Sequence, residues 1–122
     1  MGFQSQASLW ASPQAGPLWE SHVVGQWLRW RDWQRPAASL WYWQDRFGNE
    51  VDLLLDVDQK LVAIECKLSA HPEPGAARGI QKLRDFYGRE RVGAAFVACT
   101  SQEPFDLGDG VLARSGWHTW EI

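Results

Sequence analysis

Glu50-Val51-Asp52-Leu53-Leu54-Leu55 and, after a tight turn, Ala63-Ile64-Glu65-Cys66-Lys67 decide how this chain is read. An acidic residue enters one apolar strand and a Glu-x-Lys closes the next. Side chains on a strand alternate, so Glu65 and Lys67 share a face with Leu61 and Ala63, while Val62, Ile64 and Cys66 take the other. Asp52 stands in the phase opposite to Val51, Leu53, Leu55 and Val57, which are expected to pack inward together. Neighbouring strands lie about 5 Å apart, so pairing brings Asp52 beside Glu65. Two carboxylates that close repel each other unless a proton or a cation sits between them. Magnesium resolves that conflict with one or two carboxylates and water. An ammonium beside it suits the positioning of a water and the charge that develops on a phosphate. By spacing alone, Glu-x-Lys is a weak signal, and an ordinary charged pair on a solvated strand face is the favoured reading of Glu65 and Lys67.

Around this core the chain reads as one domain. Its 122 residues allow a single hydrophobic core and not two. Residues 1–16, rich in Gln, Ser, Ala and Pro, read as a flexible arm with one helical turn near Leu9 and Trp10; the domain proper is expected over 17–122. Pro17 suits a first helical turn, and Val23, Val24, Trp27 and Leu28, flanked by Trp19 and Trp30, recur at helical spacing. The helix should end before Pro36. Glu20 falls on this apolar stripe, where a carboxylate needs a partner. The same metal site would supply one; the alternative is that Glu20 only favours the helix's first turn.

Three strands follow. Ser39 to Trp43 is aromatic and β-prone. Asp45 to Asn49 is turn chemistry that leads into the strand near Val51 to Val57. Asp58-Gln59-Lys60 turns into the third, Leu61 to Leu68. After the stiff His71 to Gly75 loop, Ala76 to Tyr87 reads as a helix with Ile80, Leu83 and Tyr87 inward and Gly88 as its stop. Val92 to Cys99 is a nearly continuous apolar run. It suits a strand covered on both faces and paired in parallel through the crossover helix. The tail holds one short strand, and Trp117 and Trp120 cap the fold. The predicted class is α/β, a mixed sheet with helices against it.

Composition removes several alternatives. The net charge of −3 gives no global basic field for nucleic acid, so any such binding needs a local patch. Arg78 and Lys82 share a helix face, and with Arg84, Arg89 and Arg91 they are candidates for phosphate contact; a solvated face is the plainer reading. The three His are scattered and no C-x-x-C exists, so zinc spacing is missing. Cys66 and Cys99 lie in apolar runs and read as reduced, buried residues of a cytoplasmic protein, with a disulfide between neighbouring strands as the lesser alternative. No signal pattern or membrane-spanning run is present. Nine Trp suit a core and rim of large aromatics, and a dimer face as well. For Trp41 and Trp43, packing under the first helix is favoured over base stacking.

Glu20 on a helix, Asp52 on a strand and Glu65-x-Lys67 on the next resemble the PD-(D/E)xK nuclease superfamily. Three blocks are closer still to one branch: Gly16 to Val24, Leu40 to Asp52, and Ile64 to Lys67. They resemble the C-terminal domain of unknown function attached to many prokaryotic AAA-type ATPases. The resemblance covers the chain from Leu9 onward. It implies a restriction-endonuclease-like fold, Asp52 and Glu65 as ligands of Mg2+ or Mn2+, Lys67 as the catalytic lysine and Glu20 as the helix acid. It also implies a metal contact from the backbone carbonyl of Cys66. No Gly-x-x-x-x-Gly-Lys-Ser/Thr phosphate loop is present. The chain is then a relic, a fragment, or the partner of a separate ATPase. Two functions follow: a metal-dependent endonuclease acting on nucleic acid, DNA before RNA, or a catalytically silent interaction domain that keeps the nuclease-like fold.

Overall fold

The computed structural model describes residues 12–122. The helical turn expected near Leu9 and Trp10 lies outside the described residues. Helix α1 spans Ala15–Asp32, followed by strands β1 (Ser39–Gln44), β2 (Glu50–Val57) and β3 (Lys60–Cys66). A 3-10 turn, Pro74–Ala77, leads into helix α2 (Arg78–Tyr87), then β4 (Val92–Cys99), β5 (Phe105–Gly108) and β6 (Val111–Ser115). The six strands form one mixed sheet in the order β1-β2-β3-β4-β6-β5. Antiparallel pairs join β1 to β2, β2 to β3 and β5 to β6; β3, β4 and β6 run parallel. The architecture is the expected α/β mixed sheet, with one helix on each face.

The two faces have different cores. Under α2, Leu61, Ala63, Val97 and Val111 pack with Ile80 and Leu83. Under α1, Leu55, Val62 and Ile64 pack with Trp19, Val23 and Trp27. The buried ridge of α1 is Ala15, Trp19, Val23 and Trp27, one residue every four. It is narrower than expected, and Leu28 is exposed. The helix also starts two residues before Pro17, because the missing N–H of proline is harmless anywhere in the first turn, where those groups have no helical acceptor.

Several details of the sequence reading change, each for an identifiable reason. The first is the alternation along β2. Trp41 pairs with Leu54 and Trp43 with Val51, so Asp52 and Leu53 both stand opposite Tyr42. This bulge reverses the facing, and Val51 packs under α2 with Leu54 while Leu53 and Leu55 pack under α1. Second, Trp43 packs on the α2 side near Phe86 and Trp41 is exposed, so neither lies beneath α1. Third, Tyr87 is exposed and Arg84 takes the inward place. Its guanidinium donates to the carbonyls of Asp109 (2.5 Å), Gly93 (3.4 Å) and Gly110 (3.5 Å), so it holds the β5–β6 turn and is not free to meet a phosphate. Fourth, β5 has no counterpart in the sequence reading; its four residues bury only Leu107, too little pattern to recognise. The third strand ends at Cys66 and not Leu68, although the Lys67 N–H still donates to Ala98 O at 3.0 Å.

Of the eight described Trp, Trp19, Trp27 and Trp120 are buried and Trp33, Trp41 and Trp117 are exposed. Cys66 and Cys99 are both free. Among the described residues, no helix is long and apolar enough to cross a membrane.

Candidate active site

The cleft forms where β2 begins and β3 ends. The β2–β3 ladder is regular from Val57 and Lys60 as far as Leu53 and Ile64, where it stops. Beyond that point side chains replace backbone partners. The Asp52 N–H donates to Glu65 Oε1 at 3.3 Å, and the Cys66 N–H donates to Asp52 Oδ2 at 2.8 Å. The β2 bulge produces this arrangement, because it shifts Asp52 off the ladder and toward the end of β3.

Glu65 is 8% exposed. Burial first, then a hydrogen bond to the Asp52 carboxylate and that group's charge, push its carboxyl up to about 10, while Lys67 opposes the rise. At neutral pH and without a cation, Glu65 therefore keeps its proton. Burial and the charges of Asp52, Glu20 and Glu65 also drive the Cys66 thiol upward, so it is no thiolate ligand. Its side chain packs on the α1 side, and the residue lines the cleft.

A cleft of about 490 Å³ gathers Glu20, Asp52, Glu65, Cys66 and Lys67 on one wall or another, with Arg78 at the α2 end. Lys82 lies outside it, in an adjoining groove. Arg89 pairs with Asp109 at 3.8 Å and Arg91 with Asp56 at 3.6 Å, so both are engaged elsewhere. Glu20 corrects an expectation: it is exposed on the rim, one residue off the buried ridge. Partial burial, then Asp52 and Glu50, still raise its pKa. The Trp19 indole fixes its position by donating to Ala98 O at 3.1 Å, which ties α1 to the end of β4.

Sequence reasoning missed three contributors. Glu50 lines the cleft and accepts a 2.8 Å hydrogen bond from the Tyr42 hydroxyl. Gly79 lets α2 approach: a Cβ there would lie 2.0 Å from the Glu50 carbonyl oxygen and 3.1 Å from Glu65 Oε2. A lone Gly in a first helical turn was the available signal for Gly79; nothing local marks Glu50 or Tyr42.

Among the described residues, no three His, Cys, Asp or Glu side chains converge as a metal cage. A cation here would rest on the Asp52–Glu65 pair and be completed by water, a donor set that suits magnesium or manganese and not zinc. The buried, proton-bearing Glu65 against an acidic neighbour fits such an ion, since the ion would replace the proton.

The sequence pattern of a domain of unknown function, DUF4143, matches residues 15–116. The chain belongs to the DUF4143 family. The DUF4143 match runs from the first residue of α1 to the glycine after β6, so it includes every element that builds the cleft. No curated protein and no solved structure matches the chain significantly.

Proposed function

We propose that this DUF4143 domain is a nuclease of the PD-(D/E)xK type, with a restriction-endonuclease-like fold, that hydrolyses phosphodiester bonds in nucleic acid with Mg2+ or Mn2+. The observation that carries the proposal is the meeting of Asp52, Glu65, Lys67 and Glu20 at one cleft from three separate elements. Asp52 and Glu65 would hold the ion with the Cys66 carbonyl. Bound there, the ion supplies a Lewis acid for a phosphoryl oxygen and lowers the pKa of a bound water. Lys67, exposed at the cleft and next to Glu65 in charge, orients the attacking water and offsets charge developing on the phosphate. Glu20 faces Asp52 from the rim and holds outer waters in place.

Partners belong to the same proposal. DNA is the first substrate to test. An AAA-type ATPase is the second partner, supported by the family match together with the resemblance to ATPase-attached domains. A cytoplasmic setting agrees with two free cysteines. Homodimerisation has exposed Trp33 and Trp41 in its support, and a monomeric mass at high concentration would remove it.

A second reading is favoured by one observation: backbone N–H groups of the fold already bind both carboxylates, Asp52 N–H on Glu65 and Cys66 N–H on Asp52, as a silent docking domain would require. Manganese titration with cleavage assays separates the two. The nuclease should bind Mn2+, lose it in Asp52→Ala, and cut a panel of linear, branched and single-stranded DNA and RNA only with metal and only with Lys67 intact. Absence of metal binding to the wild type, with no cleavage, leaves the docking reading standing.

A further inference from the structure

Beside the acidic cleft lies a second groove of about 800 Å³, bounded by Trp43, Arg46, Phe47, Arg78, Lys82 and Phe86. Arg78 and Asn49 line both spaces, so the groove is continuous with the cleft. Phe47 is 76% and Phe86 71% exposed, a large cost for two phenyl rings that fold stability does not explain. Each ring is held in place. Asp45 accepts from the Phe47 N–H (2.8 Å), the Asn49 N–H (2.9 Å) and the Asn49 side chain (2.9 Å), which fixes the loop that presents Phe47. Arg46 lies over the Phe47 ring at 4.9 Å. Phe86 leans on Tyr87 at 4.8 Å and on Trp43 at 6.5 Å.

The charge of the groove is set by the same geometry. Arg46, Arg78 and Lys82 form no ion pair among the described residues. Of the two acids present, Asp45 is occupied by its own loop, which together with Lys82 lowers its pKa; Asp85 is the other. Exposed aromatic rings beside the cations of Arg78 and Lys82 match a nucleic-acid strand whose bases are unstacked. Aromatics accept any base face, and the cations follow the phosphates. A continuous duplex hides its base faces and offers such rings nothing to stack on.

We propose that this groove receives an unpaired stretch of nucleic acid beside the scissile phosphate, with one base against Phe47 or Phe86 and its phosphates on Arg78 and Lys82. This deepens the nuclease reading and takes from it only the position of the cut. The substrate class that follows is single-stranded or splayed nucleic acid, such as a flap or a fork, in preference to intact duplex.

The test is fluorescence anisotropy with labelled single-stranded, forked and duplex oligonucleotides of equal length, in calcium and in chelator, alongside cleavage in magnesium. Phe47→Ala, Phe86→Ala and Arg78→Ala are compared with wild type; both phenyl rings are exposed, so their loss leaves the core intact. The expected result is tighter binding of single-stranded and forked DNA than of duplex, weakened about tenfold by each Phe→Ala. Equal affinity for duplex and single strand, or Phe variants that bind single strands like wild type, overturns the groove. No affinity for any oligonucleotide overturns it as well and assigns the aromatic surface to a protein partner. Cleavage separates the groove from the nuclease. Selective single-strand binding without metal-dependent cutting keeps the groove and sinks the nuclease. Cutting of duplex that ignores both Phe changes does the reverse.

Discussion

The two ends of the β2–β3 hairpin use the same strands in opposite ways. At the turn end the ladder is regular through Val57 and Lys60, and charges are matched: Asp56 meets Arg91 at 3.6 Å, in partial exposure. At the cleft end the ladder stops, Asp52 is displaced by a bulge, and Glu65 is buried against it with its proton retained. A domain selected only for stability would repeat the first arrangement at both ends. A buried carboxyl held against a second one beside an open cleft is a standing cost to the fold, and such costs concentrate where a ligand is meant to arrive.

The largest expected contrast is in activity. Lys67→Ala and Asp52→Ala should each lower kcat/KM for metal-dependent cleavage about 100-fold or more, while Asp56→Ala at the turn end leaves it near wild type. Equal losses at both ends would mean that cleavage tracks general stability and not the cleft.

Next comes the close approach of α2. Gly79→Ala forces a Cβ onto the Glu50 backbone and should destabilise the fold by about 3 kcal/mol. Gly93→Ala, whose Cβ would meet only the Lys60 side chain at 3.9 Å, should change little. Urea midpoints for the two variants decide the matter; similar midpoints would show that α2 shifts away freely.

The third effect is a pH dependence. Folded Glu65 holds its proton to about 10, whereas a carboxyl in the unfolded chain releases it near 4.5. Between those values the unfolded state binds fewer protons, so stability of the metal-free protein falls as pH rises, with a slope approaching about 1.4 kcal/mol per pH unit. Glu65→Gln should flatten that slope and raise stability at alkaline pH. A Glu65→Gln profile parallel to wild type would place the ionised form of Glu65 in the resting fold. The smallest effect is at the turn: Arg91→Ala should cost about 0.5 kcal/mol, as partly exposed ion pairs do.

These contrasts also mark what could be read in advance. Helix α1, the three-strand meander, the stop at Gly88 and the parallel run of β4 were legible because each follows from a short-range period or turn signal. The neighbourhood of Asp52 and Glu65 was legible too, since adjacent strands leave few places for two such residues. Glu20 was placed correctly at the cleft but wrongly on the buried ridge, because a helical stripe read from sequence is wider than the line of contact with the sheet.

The sequence by itself determined both helices, the three-strand meander, β4 and the final short strand, their order, and the nearness of Asp52 and Glu65 at one hairpin end. Only the tertiary structure decided the bulge that offsets Asp52, the recruitment of Glu50 and Tyr42, the inward turn of Arg84 and the burial that raises the Glu65 pKa. The physical reason is range. Period and turn chemistry act over a few neighbours, whereas register, burial and the field at a carboxyl are sums over strands and helices far apart in the chain.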